Sequence, residues 1–192
     1  MIYFVITSAI IVIYVFATYN KFVTLKTRIQ ASIQEIGNQL KRQASLIPSL
    51  VDSAKGYLKH EKEIFSKLTE ARKTILDASE TNDPQKMINA NDKLQKTFGQ
   101  FKALMESTPE IRGVEAVTRL MDDLRDTADK IMYARRTLID LTADYNISVV
   151  TLPSSIIASI FMFGKEKGLS TPIEGEHIEV SSEETKTPKV DL

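Results

Sequence analysis

The sequence predicts an all-α protein: a single N-terminal transmembrane helix that continues into a long antiparallel four-helix bundle, with a disordered acidic C-terminal tail. Three observations predict it. Residues 1 to 20, MIYFVITSAIIVIYVFATYN, contain no charged side chain. From there to about residue 148 apolar residues recur at steps of three and four, which is the spacing of one helical face. The chain has only seven glycines and six prolines, nearly all in a few places, so its middle reads as helical throughout.

The first element has the length of a membrane span. At about 1.5 Å per residue, positions 1 to 19 form a rod of roughly 28 Å, close to the hydrocarbon thickness of a bilayer. A cleaved secretory signal needs a basic n-region, a shorter apolar run and a small-x-small cleavage site. Nothing basic precedes Ile2, and the run closes on Ala17, Thr18 and Tyr19, so the rod is read as an uncleaved anchor carried by Ile2, Phe4, Ile10, Ile13 and Phe16. With no cysteine in the chain there is nothing to acylate as a lipoprotein. Between residues 21 and 59 seven basic side chains face only Glu35 and Asp52. Positive flanks stay inside, which puts the N-terminus out and the C-terminal domain in the cytoplasm, with Lys21, Lys26 and Arg28 as candidate membrane-interface residues.

Beyond the anchor, residues 20–148 divide into four helices of the bundle. The first, about 20–58, carries Phe22, Leu25, Ile29, Ile33, Ile36, Leu40, Ala44, Ile47, Val51, Ala54 and Leu58 on one stripe. Pro48 lies inside it and removes one backbone donor, predicting a kink rather than a stop because the stripe continues in phase. The second helix, about 61–79, shows Ile64, Leu68, Ala71 and Ile75. Asp83-Pro84 is an N-cap followed by proline at the first helical position, opening a third helix over 84–106. Thr108-Pro109-Glu110 repeats that signal for the fourth, over 110–148, whose near-heptad spacing resembles a coiled coil. Rises of roughly 57, 28, 34 and 57 Å, out and back in turn, return the chain to the membrane it left.

That return delivers an apolar stretch to the bilayer surface. Residues 149–167 form a short apolar interfacial segment, too short to span, in which Ser154 or Ser155 caps a helix presenting Ile156, Ile157, Ile160, Phe161 and Phe163. Packing of the same segment on the two-helix stalk is the competing reading. Residues 168–192 lose periodicity and are strongly acidic, the composition of a disordered tail.

Charge and composition narrow the function. Twenty-five basic and twenty-five acidic side chains leave none of the basic excess of a nucleic-acid binder. No Gly-rich phosphate loop, nucleophile elbow or Cys/His pair is present. A di-metal bundle needs Glu-x-x-His on two helices, and the chain has only His60 and His177. No catalytic residue, metal site or cofactor is therefore assigned, and no small-molecule substrate is identified. Lys41, Arg42, Arg135 and Arg136 form a candidate partner patch on the stalk for lipid headgroups or an acidic protein, with plain solubilising charge as its alternative.

Several stretches together resemble the LemA family of bacterial membrane-anchored helical proteins: Tyr19-Asn20-Lys21-Phe22-Val23, Gln39-Leu40-Lys41-Arg42, Leu46-Ile47-Pro48-Ser49-Leu50-Val51, Lys55-Gly56-Tyr57-Leu58-Lys59-His60-Glu61-Lys62-Glu63, Thr69-Glu70-Ala71-Arg72, Ala134-Arg135-Arg136, Asp144-Tyr145-Asn146, and Pro153-Ser154-Ser155-Ile156-Ile157-Ala158 running into Phe161-Met162-Phe163. They run in order over residues 19 to 167, short of the tail. The resemblance implies one N-terminal membrane helix, a helical-bundle domain and an outward N-terminus, in the bacterial cytoplasmic membrane, and implies no established activity. The expected function is a non-enzymatic scaffold or protein-interaction module. Its partners are the lipid bilayer and a protein partner or a second copy in a homo-oligomer. Two alternatives stay open: a bilayer-sensing or remodelling protein acting through residues 152 to 163, and a helical-bundle enzyme or subunit using carboxylates such as Asp122, Asp123 and Asp126.

Overall fold

Why the chain folds as it does is visible in what α1 buries and what it leaves bare. The structure, a computed structural model, describes residues 1–58 and 61–170, with Arg112 by its backbone alone. Helix α1 (Ile2–Ala54) is one unbroken helix of 53 residues. Its first third is apolar on every face and exposed. Nothing among the described residues covers it, and it is long and apolar enough to cross a membrane. From Phe22 onward, residues three and four apart turn inward, and Phe22, Ile36, Leu40, Ala44 and Leu50 are fully buried.

The other helices are α2 (Lys62–Glu80), α3 (Pro84–Ser107), a single turn α4 (Pro109–Arg112), α5 (Glu115–Val150) and α6 (Ser154–Ile160). All regular structure among the described residues is helical. Helix α1 packs against α5, α2, α3 and α6, while α2 and α3 form a hairpin. Two contacts fix the antiparallel register of α1 and α5. Phe22 meets Tyr145 edge to face at 5.8 Å between ring centroids, and the Gln43 amide donates to the Leu124 carbonyl at 3.4 Å.

The helix starts differ in quality. Asp83 caps α3 as its sequence predicts, its Oδ1 accepting from the backbone N–H of Gln85 at 2.9 Å and of Lys86 at 3.4 Å. Thr108 makes no side-chain cap bond. The helix it opens stops after one turn, and the chain restarts at Glu115 after Gly113 and an extended Val114. The continuous helix expected over 110–148 is thus two helices, because glycine lowers helix stability where Thr108 contributes no cap to offset it. Helix α1 likewise ends at Ala54 and not at residue 58. Leu58 stays buried because its N–H reaches the Ala54 carbonyl at 3.1 Å through a turn around Gly56.

Pro48 neither stops nor leaves a gap in α1. It lacks the N–H that would satisfy the Ala44 carbonyl, and Arg72 of α2 supplies a donor instead, its Nε–H lying 3.1 Å from that oxygen. The proline thereby creates a docking point for the second helix. Arg72→Ala should lower stability by about 1–3 kcal/mol, the cost of orphaning a part-buried acceptor that had a charged donor. In a chain already carrying Pro48→Ala, which restores the helical bond, the Arg72 substitution should cost at least ~1 kcal/mol less, as a double-mutant cycle in denaturant would show.

Candidate membrane interface

The end of the bundle next to the apolar rod is built around an aromatic cluster. Phe22 is fully buried, and Phe163 stacks on it at 5.0 Å. Tyr19, one turn earlier on α1, meets Phe161 edge-on at 5.0 Å and Phe163 at 5.6 Å. Tyr145 closes the cluster from α5. Offset and edge-to-face pairs of this kind each contribute about 0.5–1.5 kcal/mol beyond the area they bury. The Tyr145 hydroxyl is buried with no hydrogen-bond partner among the described residues, and burial pushes its phenol pKa up.

Helix α6 docks here after a sharp reversal through Thr151, Leu152 and Pro153, whose Leu152–Pro153 peptide is cis. Ser154 does not cap α6. Its hydroxyl points back to the Ser148 carbonyl at 2.7 Å and the Thr151 carbonyl at 2.8 Å, so the serine satisfies the open C-terminal end of α5. One face of α6, Ile157 and Ala158, is buried against the stalk. The other face presents Ile156 and Ile160, with Leu152, Phe161 and Met162 on the flanking turns, all exposed. Of the side chains expected to point toward lipid, Ile157 is buried, and Phe163 holds the segment to α1 through its stack on Phe22.

Past Phe163 the chain becomes an extended strap laid along the bundle. Asn146 clamps it with both ends of its amide: Nδ2–H donates to the Glu166 carbonyl and Oδ1 accepts from the Glu166 N–H, each at 2.9 Å. Lys26 pairs with the Glu166 carboxylate at 3.1 Å. Leu169 packs on the core, and the Ser170 N–H donates to Gln85 Oε1 at 2.8 Å. Residues 164–170 thus run along the bundle, and 168–170, expected to open the disordered tail, are packed on it instead. The remaining tail, 171–192, lies outside the described residues. Asn146→Ala removes both clamp bonds, and hydrogen exchange at the Glu166 amide should speed up by one to two orders of magnitude, about 1–3 kcal/mol of local stability.

The Lys26 ammonium, hydrogen-bonded to Glu166, has its pKa raised above the ordinary lysine value. A raised basic pKa means the pair's contribution is complete below that ordinary value and fades as pH climbs through the raised one. The exposed carboxylates Glu63, Glu70 and Asp126 are held lower by hydrogen bonds from Lys67, Lys93 and Lys130, so their small contributions are present near neutrality and fade in acid. Strap release through loss of the Lys26 proton should therefore require strongly alkaline pH.

The quoted sequence stretches meet in pairs in space, the aromatic and Asn146 segments at this end and the Pro48 and Arg72 segments farther along, as one family pattern folded on itself would. The sequence model of the LemA family matches residues 32–191 of the 192. This chain belongs to the LemA family. It is also 21% identical over 168 residues to the magnetosome protein MamQ of Magnetospirillum gryphiswaldense, with 76% of this chain and 62% of that protein aligned. The chain thus spans about three fifths of that relative's length. The family match reaches through the tail, beyond residue 167 where the resemblance read from single stretches stopped.

The remaining candidate residues of this LemA chain sit apart. The α1–α5 register places Lys41 and Arg42 roughly opposite residues 125–126, whereas Arg135 and Arg136 stand opposite residues 31–32. Ten residues of helix separate the two pairs, about 15 Å, so they form no single basic patch. Helix periodicity fixes which face a residue occupies but not the axial offset between two helices, which is why the sequence suggested otherwise. Asp126 pairs with Lys130 at 2.7 Å, and among the described residues no three His, Cys, Asp or Glu side chains gather as metal ligands. The anchor residues Ile2, Phe4, Ile10, Ile13 and Phe16 are all exposed, as are Lys21 and Arg28.

Proposed function

We propose that this LemA protein is a membrane-tethered, non-enzymatic scaffold. Its helices α1, α2, α3 and α5 make a four-helix bundle held against the cytoplasmic face of the bacterial inner membrane, so that the distal surfaces can bind another protein or a second copy. The observation that supports this best is the exposed apolar surface at one end of the molecule. It comprises the bare rod of α1 and, level with its end, the exposed residues Ile147, Val150, Leu152, Ile156, Ile160 and Met162. A surface of this kind on a soluble domain marks an interaction site, and beside a rod of bilayer length that partner is lipid. The charged remainder then stands clear of the membrane, oriented by two attachments instead of one. Orientation rests on Lys21, Lys26 and Arg28 following the rod.

Protease treatment of intact cells against inverted vesicles tests the orientation: cleavage of the bundle in inverted vesicles alone supports it, and cleavage in intact cells overturns it. Crosslinking in cells followed by mass spectrometry tests the scaffold role, with recurrent crosslinks from the distal bundle to another protein or copy expected. A second reading, that α6 senses or remodels the bilayer, is favoured by its exposed face. It predicts that substitutions on α6 change binding with vesicle curvature, whereas a pure scaffold binds all curvatures alike.

A further inference from the structure

We propose that the groove between α3 and α5 is the seat of the chain's own C-terminal segment, residues 176 to 180. Helices α3 and α5 both lie against α1 but scarcely against each other, and a cleft of about 500 Å³ opens between them. Its floor is apolar, with Phe98 and Leu124 buried and Met105 and Met121 half-buried, and Gly99 leaves one wall without a side chain. Lys102 and Arg125 stand on its rim, neither in an ion pair among the described residues, with Asp122 and Asp129 nearby.

The strap is already travelling toward this cleft in the same seam. Glu166 is held by Asn146 and Gly168 lies beside Thr142, so the chain advances toward lower α5 numbers, away from the rod. Ser170 is fastened to Gln85 of α3, which leaves the last described residue between the two helices that form the groove walls. From there to the cleft at Asp129 is about ten residues of α5, roughly 15 Å. An extended chain covers that distance in about five residues, bringing Glu176 to Val180 alongside the cleft. This stretch reads Glu-His-Ile-Glu-Val. In extended conformation Ile178 and Val180 share one side, suited to the apolar floor, while Glu179 on the opposite side is free to meet the rim cations and Glu176 enters at the end of the cleft. The family match through residue 191 makes the segment part of the common pattern and not an appendage.

The chain has no cysteine, so introduced pairs report cleanly. In the full chain in detergent micelles, Gly99→Cys with Ile178→Cys should form a disulfide within one chain under mild oxidation, while Gly99→Cys with Leu192→Cys should do so at least tenfold more slowly. Cysteine at position 99 alone should react with maleimide several-fold faster when Ile178→Asp and Val180→Asp are added, with helix content by circular dichroism unchanged. Disulfides that form only between chains would overturn the proposal in favour of a second copy. Equal labelling rates without crosslinking would overturn it too, leaving the groove open to a different protein.

Discussion

Phe22→Ala should lower the unfolding free energy of the helical domain by about 3–5 kcal/mol, the cost of deleting a fully buried aromatic ring. The effect should also be concentrated at one end. Phe22 is stacked on Phe163 and set against Tyr145, so its loss frees the ring that pins the strap as well as leaving a void against α5. Trypsin cleavage after Lys165 and Lys167 should accelerate more than the global loss of stability accounts for. Tyr133→Ala, removing a ring that is 74% exposed, should shift stability by about 0.5 kcal/mol or less. Finding Lys165 and Lys167 still protected in the Phe22 variant would show that α6 and the strap are held by something other than this cluster.

How much of this was legible beforehand divides along a physical line. Burial of α1 and α5 was readable because each helix carries its own period: Phe22, Leu25, Ile29 and Ile36 announce one face without reference to any partner. The Asp83-Pro84 start was readable because a cap is local chemistry. Gly113 was passed over because the apolar spacing continues across it from Ile111 to Val114, so periodicity alone hid the break. The strap was misread because Gly164 to Ser170 has no period at all. What holds it is an amide of Asn146 grasping backbone atoms that any residue at position 166 would offer. The basic patch failed for a related reason, since the distance between Arg42 and Arg136 depends on an axial offset set by Phe22 with Tyr145 and Gln43 with Leu124, a relation between helices that neither helix encodes by itself.

The second large effect concerns α6 and lipid. A chain beginning at Ala17 loses only rod residues that the bundle does not cover, and it should still bind vesicles of anionic phospholipid through α6. Ile156→Glu, Ile160→Glu and Met162→Glu together should weaken that binding roughly a hundredfold, from about 1 kcal/mol of partial apolar burial forfeited at each position. Folding should be untouched, because the three side chains are 56%, 68% and 90% exposed; an unchanged melting temperature would verify this. Salt separates the apolar contribution from the electrostatic one. Attraction of Lys21, Lys165 and Lys167 to anionic headgroups is screened at high ionic strength, whereas seating of apolar side chains is not. Residual binding of the parent chain in high salt, abolished by the triple substitution, is the expected pattern. If the triple variant binds as well as the parent in low and high salt alike, α6 is not a membrane contact, and its exposed isoleucines must face a protein.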